Sequence, residues 1–170
     1  MDVGTLVLHR FNGREIYAVK YPTIQVIERN GAIELLLYVE TKVKPVQTLP
    51  DTAELDPQPN AEVYIALKKL DASKLLGRRF AVPASWDDEK QDQVSCLYYC
   101  EHCDLNKNVL RFLERDGNKF LVHWTATTRD VNYYDGSKPD TKFELKAWFT
   151  FKDICKWSST EPGAAADPAL

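Results

Sequence analysis

The chain predicts an all-β fold: an antiparallel β-sandwich, with a barrel as the alternative closure, and one or two short helices. Three observations predict it. Apolar residues alternate from Phe143 to Phe151 (Phe143, Leu145, Ala147, Phe149, Phe151) with polar or amphipathic residues between them. Successive strand side chains point to opposite faces, so such a run buries one face and wets the other. Similar runs recur along the chain, and several are separated by the turn dipeptides Asn-Gly or Asp-Gly. These accept the positive φ that tight hairpin turns require.

The elements follow in order. Strands are expected at Thr5–Arg10, Arg14–Lys20, Thr23–Glu28 and Ala32–Glu40, with tight turns at Phe11-Asn12-Gly13 and Asn30-Gly31. Lys44 to Asn60 carries Pro45, Pro50, Pro57 and Pro59, which cannot donate to a sheet ladder, so an irregular surface connection is expected. Further strands are expected at Ala61–Leu70, Arg78–Val82, Asn108–Glu114, Asn118–Arg129 and Thr141–Lys152. Between them, Asp71 to Gly77 reads as a short helical turn, with Asp71 as cap and Gly77 as terminator. Ser85-Trp86-Asp87-Asp88-Glu89 reads as a helix start, with three acids in the first turn.

The expected organisation is one domain over 1–157 and a flexible tail over 158–170, which is rich in Ser, Ala, Gly and Pro. The expected core is Leu35, Leu37, Val39, Val63, Ile65, Leu67, Leu110, Phe112, Phe120, Val122, Trp124, Phe143, Leu145, Phe149 and Phe151.

Composition excludes some function classes. Net charge is −3 and the sequence pI near 5.7. A nucleic-acid partner calls for a basic surplus that is missing here. The longest apolar run, Leu35 to Val39, is too short to span a membrane, and the first ten residues lack a signal-peptide pattern. Cys96, Cys100 and Cys103 are crowded and Cys155 is distant, a poor layout for disulfides. A reduced, cytoplasmic protein without membrane or nucleic-acid partners is therefore expected, its oligomeric state open.

Four features are candidates for chemistry. Cys96, Cys100, His102 and Cys103 are soft ligands, but their spacing does not resemble two short ligand pairs brought together by a fold. On a helix, Cys96, Cys100 and Cys103 share one core-facing stripe; on a strand, Cys96, Tyr98, Cys100 and His102 share a face. A Cys–His pair, Cys100 or Cys155 with His102 or His123, is the candidate nucleophilic arrangement, without any accompanying motif. The connection from Arg129 to Asp140 joins two strong strands and is too long for a tight turn. Arg129, Asp130, Asn132 and Asp135 offer polar contacts, and Tyr133 and Tyr134 offer contact area. Its aspartates also raise calcium, but the EF-hand pattern with its terminal acidic ligand is absent. Trp148 lies on the polar side of its strand, where an indole can anchor a partner; its expected cross-strand neighbour is Leu121, His123 or Thr125.

No cofactor motif is present, so none is expected. The reading is a non-catalytic binding module for a protein partner, with Arg129, Asp130, Asn132, Tyr133, Tyr134, Asp135 and Trp148 as binding residues. The alternatives are a small-molecule or carbohydrate binder, and a metal-dependent or Cys/His hydrolase.

Overall fold

The structure is a computed structural model that describes residues 3–29 and 31–158. The expected tail lies outside these residues except for Ser158. The fold is all-β, sandwich-like and nearly free of helix.

Strands β1 (Gly4–Arg10), β2 (Gly13–Arg29), β3 (Ala32–Thr41) and β4 (Asn60–Leu67) form a meander. Then come β5 (Arg79–Val82), β6 (Trp86–Asp87), β7 (Asp92–Gln93), β8 (Ser95–Tyr98) and β9 (His102–Asp104). The last three long strands are β10 (Asn106–Asp116), β11 (Lys119–Thr128) and β12 (Thr141–Phe151), followed by a one-turn helix, α1 (Ile154–Trp157). Among the described residues, ten strands make one sheet in the order β5-β10-β11-β12-β1-β2-β3-β4-β8-β9, and β6 and β7 make a small ribbon. The pairings are antiparallel except for a short parallel one, Thr150 beside Thr23 and Phe151 beside Ile24.

The sheet is not a closed barrel; β5 and β9 are its edges. It folds over instead. Asn108 on β10, second in the order, donates to Ser95 Oγ on β8, ninth in the order, at 3.0 Å. Ser95 Oγ donates onward to Leu105 O at 2.6 Å. The two halves therefore face each other across one core, a sandwich made from one folded sheet. Every residue of the expected core is buried except Leu67, which packs against it partly buried. At roughly 25 cal/mol per Å² of apolar area, this set supplies the main stabilisation.

Three local readings are corrected. The expected strands Arg14–Lys20 and Thr23–Glu28 are a single strand, β2, with a register shift between Lys20 and Thr23. Tyr21 sits in that bulge at φ +51°, which lets the strand bend without ending. The expected helix at Ser85 is the β6–β7 ribbon: Asp87 Oδ1 accepts the amides of Glu89 at 3.0 Å and Lys90 at 3.2 Å, so its carboxylate closes a turn. Of the two alternatives for the cysteines, the helical stripe gives way to strands, the β8–β9 hairpin, but without the shared face: Cys96 and Cys103 are buried while Tyr98, Cys100 and His102 are exposed. The short turn at Asp71 is present as a 3₁₀ helix, Ala72–Lys74, with Asp71 capping Ser73.

Candidate functional site

Two regions at opposite ends of β12 hold the binding residues expected from the sequence. The first is the loop end, where residues 129–140 cross over the β1–β2 turn and the proline-rich connection.

Beneath the loop lies a buried ionic cluster. Arg10 ends β1 on the inner face, its side chain fully inaccessible. Its Nε and Nη2 donate to the two oxygens of Asp130 at 3.0 and 2.7 Å. Nη1 and Nη2 also donate to Asp51 at 3.2 and 2.8 Å, and Nη1 to Glu15 Oε1 at 2.9 Å. Every guanidinium N–H position thus faces a carboxylate, the bidentate geometry for which arginine is suited. Glu15 in turn accepts from Thr52 Oγ1 at 2.7 Å, Tyr17 OH at 2.7 Å and Tyr99 OH at 2.8 Å. Burial, with these hydrogen bonds, pushes both phenols far above the ordinary tyrosine range, so they remain donors. Burial alone would push the Asp130 and Asp51 carboxyls up; the Arg10 hydrogen bonds outweigh it and hold both below the usual range.

The cluster fixes the loop. Asp130 Oδ1 accepts the amides of Asn132 at 3.1 Å and Tyr133 at 3.3 Å, and Oδ2 accepts from Thr141 Oγ1 at 3.2 Å. Asn132 Nδ2 donates to the Asp51 carbonyl at 3.1 Å, tying this loop to the proline-rich connection. Val131 is buried, Tyr134 packs against the core, and Arg129 donates to the Tyr134 carbonyl at 3.2 Å. Asp135 is exposed and turns the chain by accepting the Ser137 amide at 2.9 Å. What reaches outward is Tyr133, edge-on to the half-exposed Phe11 at 5.7 Å, with Lys138 Nζ 5.2 Å from the centroid of each ring. Asp130 and Asn132 are thus supports, and Tyr133 is a presented side chain.

Trp148 is not in this assembly. It stands on the outer face of β12 opposite Leu121, as the strand alternation implies. It helps line an open groove of about 470 Å³ with Val3, Tyr21, Pro22, Lys119 and Lys152. Gly4 makes the close pairing of β1 with β12 possible here: opposite Ala147 and at its φ of +143°, a Cβ would land on Lys146 O and Ala147 Cα. The approach places Val3 O against Trp148 N at 2.9 Å.

Sequence reasoning missed the ionic cluster, apart from Asp130. The signal was present: on the alternating faces of β1 and β2, Arg10 and Glu15 fall in phase with Leu6, Leu8, Tyr17 and Val19. It also missed a clasp on the outer face, where Glu144 bridges His9 Nε2 at 3.0 Å and His123 Nε2 at 3.1 Å. Hydrogen bonds from these histidines hold the Glu144 carboxyl below its usual range.

Of Cys96, Cys100, His102 and Cys103, it is Cys103 that reaches the loop region, its thiol in hydrogen-bond contact with the Tyr134 side chain; the side chain of Cys155 lies outside the described residues. His102 packs edge-on against Tyr98, with ring centroids 5.2 Å apart. Burial pushes the Cys96 thiol up to about 12 and the Cys103 thiol to about 11, and raises Cys100 as well. Among the described residues, no three His, Cys, Asp or Glu side chains are grouped so as to hold a metal ion. No described helix is long and apolar enough to cross a membrane.

Compared with family models, characterised proteins and solved structures, the chain matches none. The class defined by fold and geometry is an all-β, sandwich-like protein with a braced loop at one end and an aromatic groove at the other.

Proposed function

We propose that this protein is a non-catalytic binding module that engages a protein partner through its loop end. The observation that supports this reading is the bracing of residues 129–140 by buried Asp130, whose carboxylate holds two loop amides while gripped by Arg10. A loop ordered in advance avoids the ordering cost of binding, on the order of 0.5–1.5 kcal/mol per immobilised side chain. Its tip offers Tyr133 and Phe11, aromatic rings of the kind that anchor interfaces, together with the Lys138 ammonium. The acidic net charge favours a protein over a nucleic acid, and the free thiols favour a reducing, cytoplasmic setting. The hydrolase alternative gains nothing from Cys96, Cys100 or Cys103, since a nucleophilic cysteine needs a lowered pKa and burial raises these three.

The test uses the full chain as bait in host extract, beside the Phe11→Ala/Tyr133→Ala and Trp148→Ala variants. A partner held by the wild type and by Trp148→Ala, but bound at least about fivefold more weakly by the double variant, is expected. A partner indifferent to the double variant would place recognition elsewhere. Hydrogen exchange provides a partner-free check: the Asn132 and Tyr133 amides should exchange slowly, and rapid exchange would remove the argument from bracing.

A further inference from the structure

We infer that the Trp148 groove binds a small planar aromatic anion, an aryl carboxylate, at a site separate from the loop end. Four observations converge on it. The floor and walls are apolar and aromatic (Trp148, Tyr21, Val3, Pro22), and the volume, about 470 Å³, suits a small molecule. The rim carries Lys119 and Lys152 against the one acid Asp116, a positive balance on a chain of net charge −3. Both lysines are exposed and neither is engaged in an ion pair with a described residue, so no described carboxylate competes with an anion for them through an ion pair.

The other two observations concern Tyr21 and Thr23. Tyr21 is 67% exposed and adopts φ +51°, a region disfavoured for a bulky side chain, so the bulge sets its ring at the groove mouth at a conformational cost. Thr23, on the groove wall, carries one of the two buried side-chain polar atoms among the described residues that have no hydrogen-bond partner. A buried hydroxyl in this state calls for an acceptor. In the inferred complex the Thr23 hydroxyl donates to the ligand carboxylate, and the ligand's ring stacks on the Trp148 indole. The aromatic surface accounts for the planar group, the ammonium pair for the negative charge, and the hydroxyl for an acceptor oxygen.

The probe is 2-naphthoate, with 2-naphthalenemethanol and 2-naphthylmethylammonium as the neutral and cationic comparisons. Binding is read from the Trp148 indole N–H resonance, assigned with Trp148→Phe, and from tryptophan fluorescence. Naphthoate is expected to bind with a Kd on the order of 1 mM or tighter, the range set by small-ligand efficiency. The alcohol should bind about fivefold more weakly and the ammonium more weakly still; added salt should narrow the gap. Lys119→Gln/Lys152→Gln, both at exposed positions, should abolish the preference for the anion without unfolding the protein. Tyr133→Ala should leave the titration unchanged, which separates this site from the loop-end reading. Equal binding of the three probes would overturn the inference, as would no shift at Trp148 or a preference that survives the double lysine variant. A Trp148 signal that follows protein concentration without ligand would assign the groove to a second copy of the chain and also overturn it.

Discussion

The two ends of β12 handle polarity in opposite ways. At the loop end, charges are inside and saturated: Arg10, Glu15, Asp51 and Asp130 bond to one another and to Thr52, Tyr17, Tyr99 and Thr141. At the groove end, aromatic rings are outside, and among the described residues two lysine charges have no ion pair and the buried Thr23 hydroxyl has no hydrogen-bond partner. A saturated cluster has no valence left for a ligand; its effect is to hold a backbone still. An unsaturated groove still has contacts to make. The same strand thus serves as a brace at one end and offers a vacancy at the other.

The largest effect that can break this comparison is the loss of the guanidinium. Arg10→Met leaves Asp130, Asp51 and Glu15 without their cation and should cost about 3–5 kcal/mol, a large share of a typical 5–15 kcal/mol stability. The pH dependence should change sign. In the wild type, the folded-state carboxyls of Asp130 and Asp51 lie below their unfolded values. Their contribution is present above about pH 4 and is lost as pH falls through the depressed folded values. In Arg10→Met, buried carboxylates without a cation favour protonation, so urea midpoints should rise as the pH is lowered from 7 to 4, a window over which the wild-type contribution of these carboxylates stays level. A variant with wild-type stability at pH 7 would show that the cluster braces nothing.

Next in size is a contrast between adjacent residues. Phe149 is fully buried and Trp148 is on the outer face. Phe149→Ala should cost about 3–5 kcal/mol through lost burial and a cavity. Trp148→Ala should cost markedly less, about 1–2 kcal/mol, since part of its ring is already in water. Chemical denaturation of the two variants checks this, and equal losses would mean that the groove face is a second core.

Much of this contrast was legible in the sequence and some was not. The inner and outer faces of β11 and β12 follow from strict alternation, which put Trp148 on the outer face; the register left Leu121, His123 and Thr125 open as its neighbour, and the structure selects Leu121. The braced loop was legible only as a long polar–aromatic connection. Its supports come from Arg10 and Asp51, 120 and 79 residues before Asp130 on the chain, and no local pattern encodes that meeting. The groove was hidden for a different reason. It depends on the bulge at Tyr21, where one strand bends instead of ending, and bulges leave little trace in hydrophobic periodicity. The β6 and β7 strands, at two residues each, are too short for any periodicity to show.

A smaller effect sharpens the loop end. Tyr133 is partly exposed and makes its ring contacts with Phe11 and Lys138 at the surface. Tyr133→Ala should lower stability by about 1 kcal/mol or less, the scale of an exposed aromatic and cation–π contact. A loss above about 2 kcal/mol in thermal or urea melts would make Tyr133 a plug for the cluster and not a presented side chain.

The smallest expected effect on stability, and the one that separates fold from site most cleanly, is at Tyr21. A tyrosine at φ +51° carries a backbone cost of roughly 1–2 kcal/mol that glycine does not. Glycine returns about 0.5–1 kcal/mol of that as entropy of the unfolded chain. The lost contact between Lys20 Nζ and the Tyr21 ring, 4.7 Å to its centroid, offsets about 0.5–1 kcal/mol more at an exposed site. Tyr21→Gly should therefore leave stability within about 1 kcal/mol of wild type, while Tyr21→Ala, which keeps the strained backbone and loses the ring, should fall below it. Both variants should weaken 2-naphthoate binding, because both remove the ring from the groove mouth. Urea midpoints and a naphthoate titration on the same three proteins decide it. If glycine stabilises the fold and naphthoate binds as before, the positive φ is a cost with no return at the groove; if binding falls while the fold stands, the strained tyrosine belongs to the site.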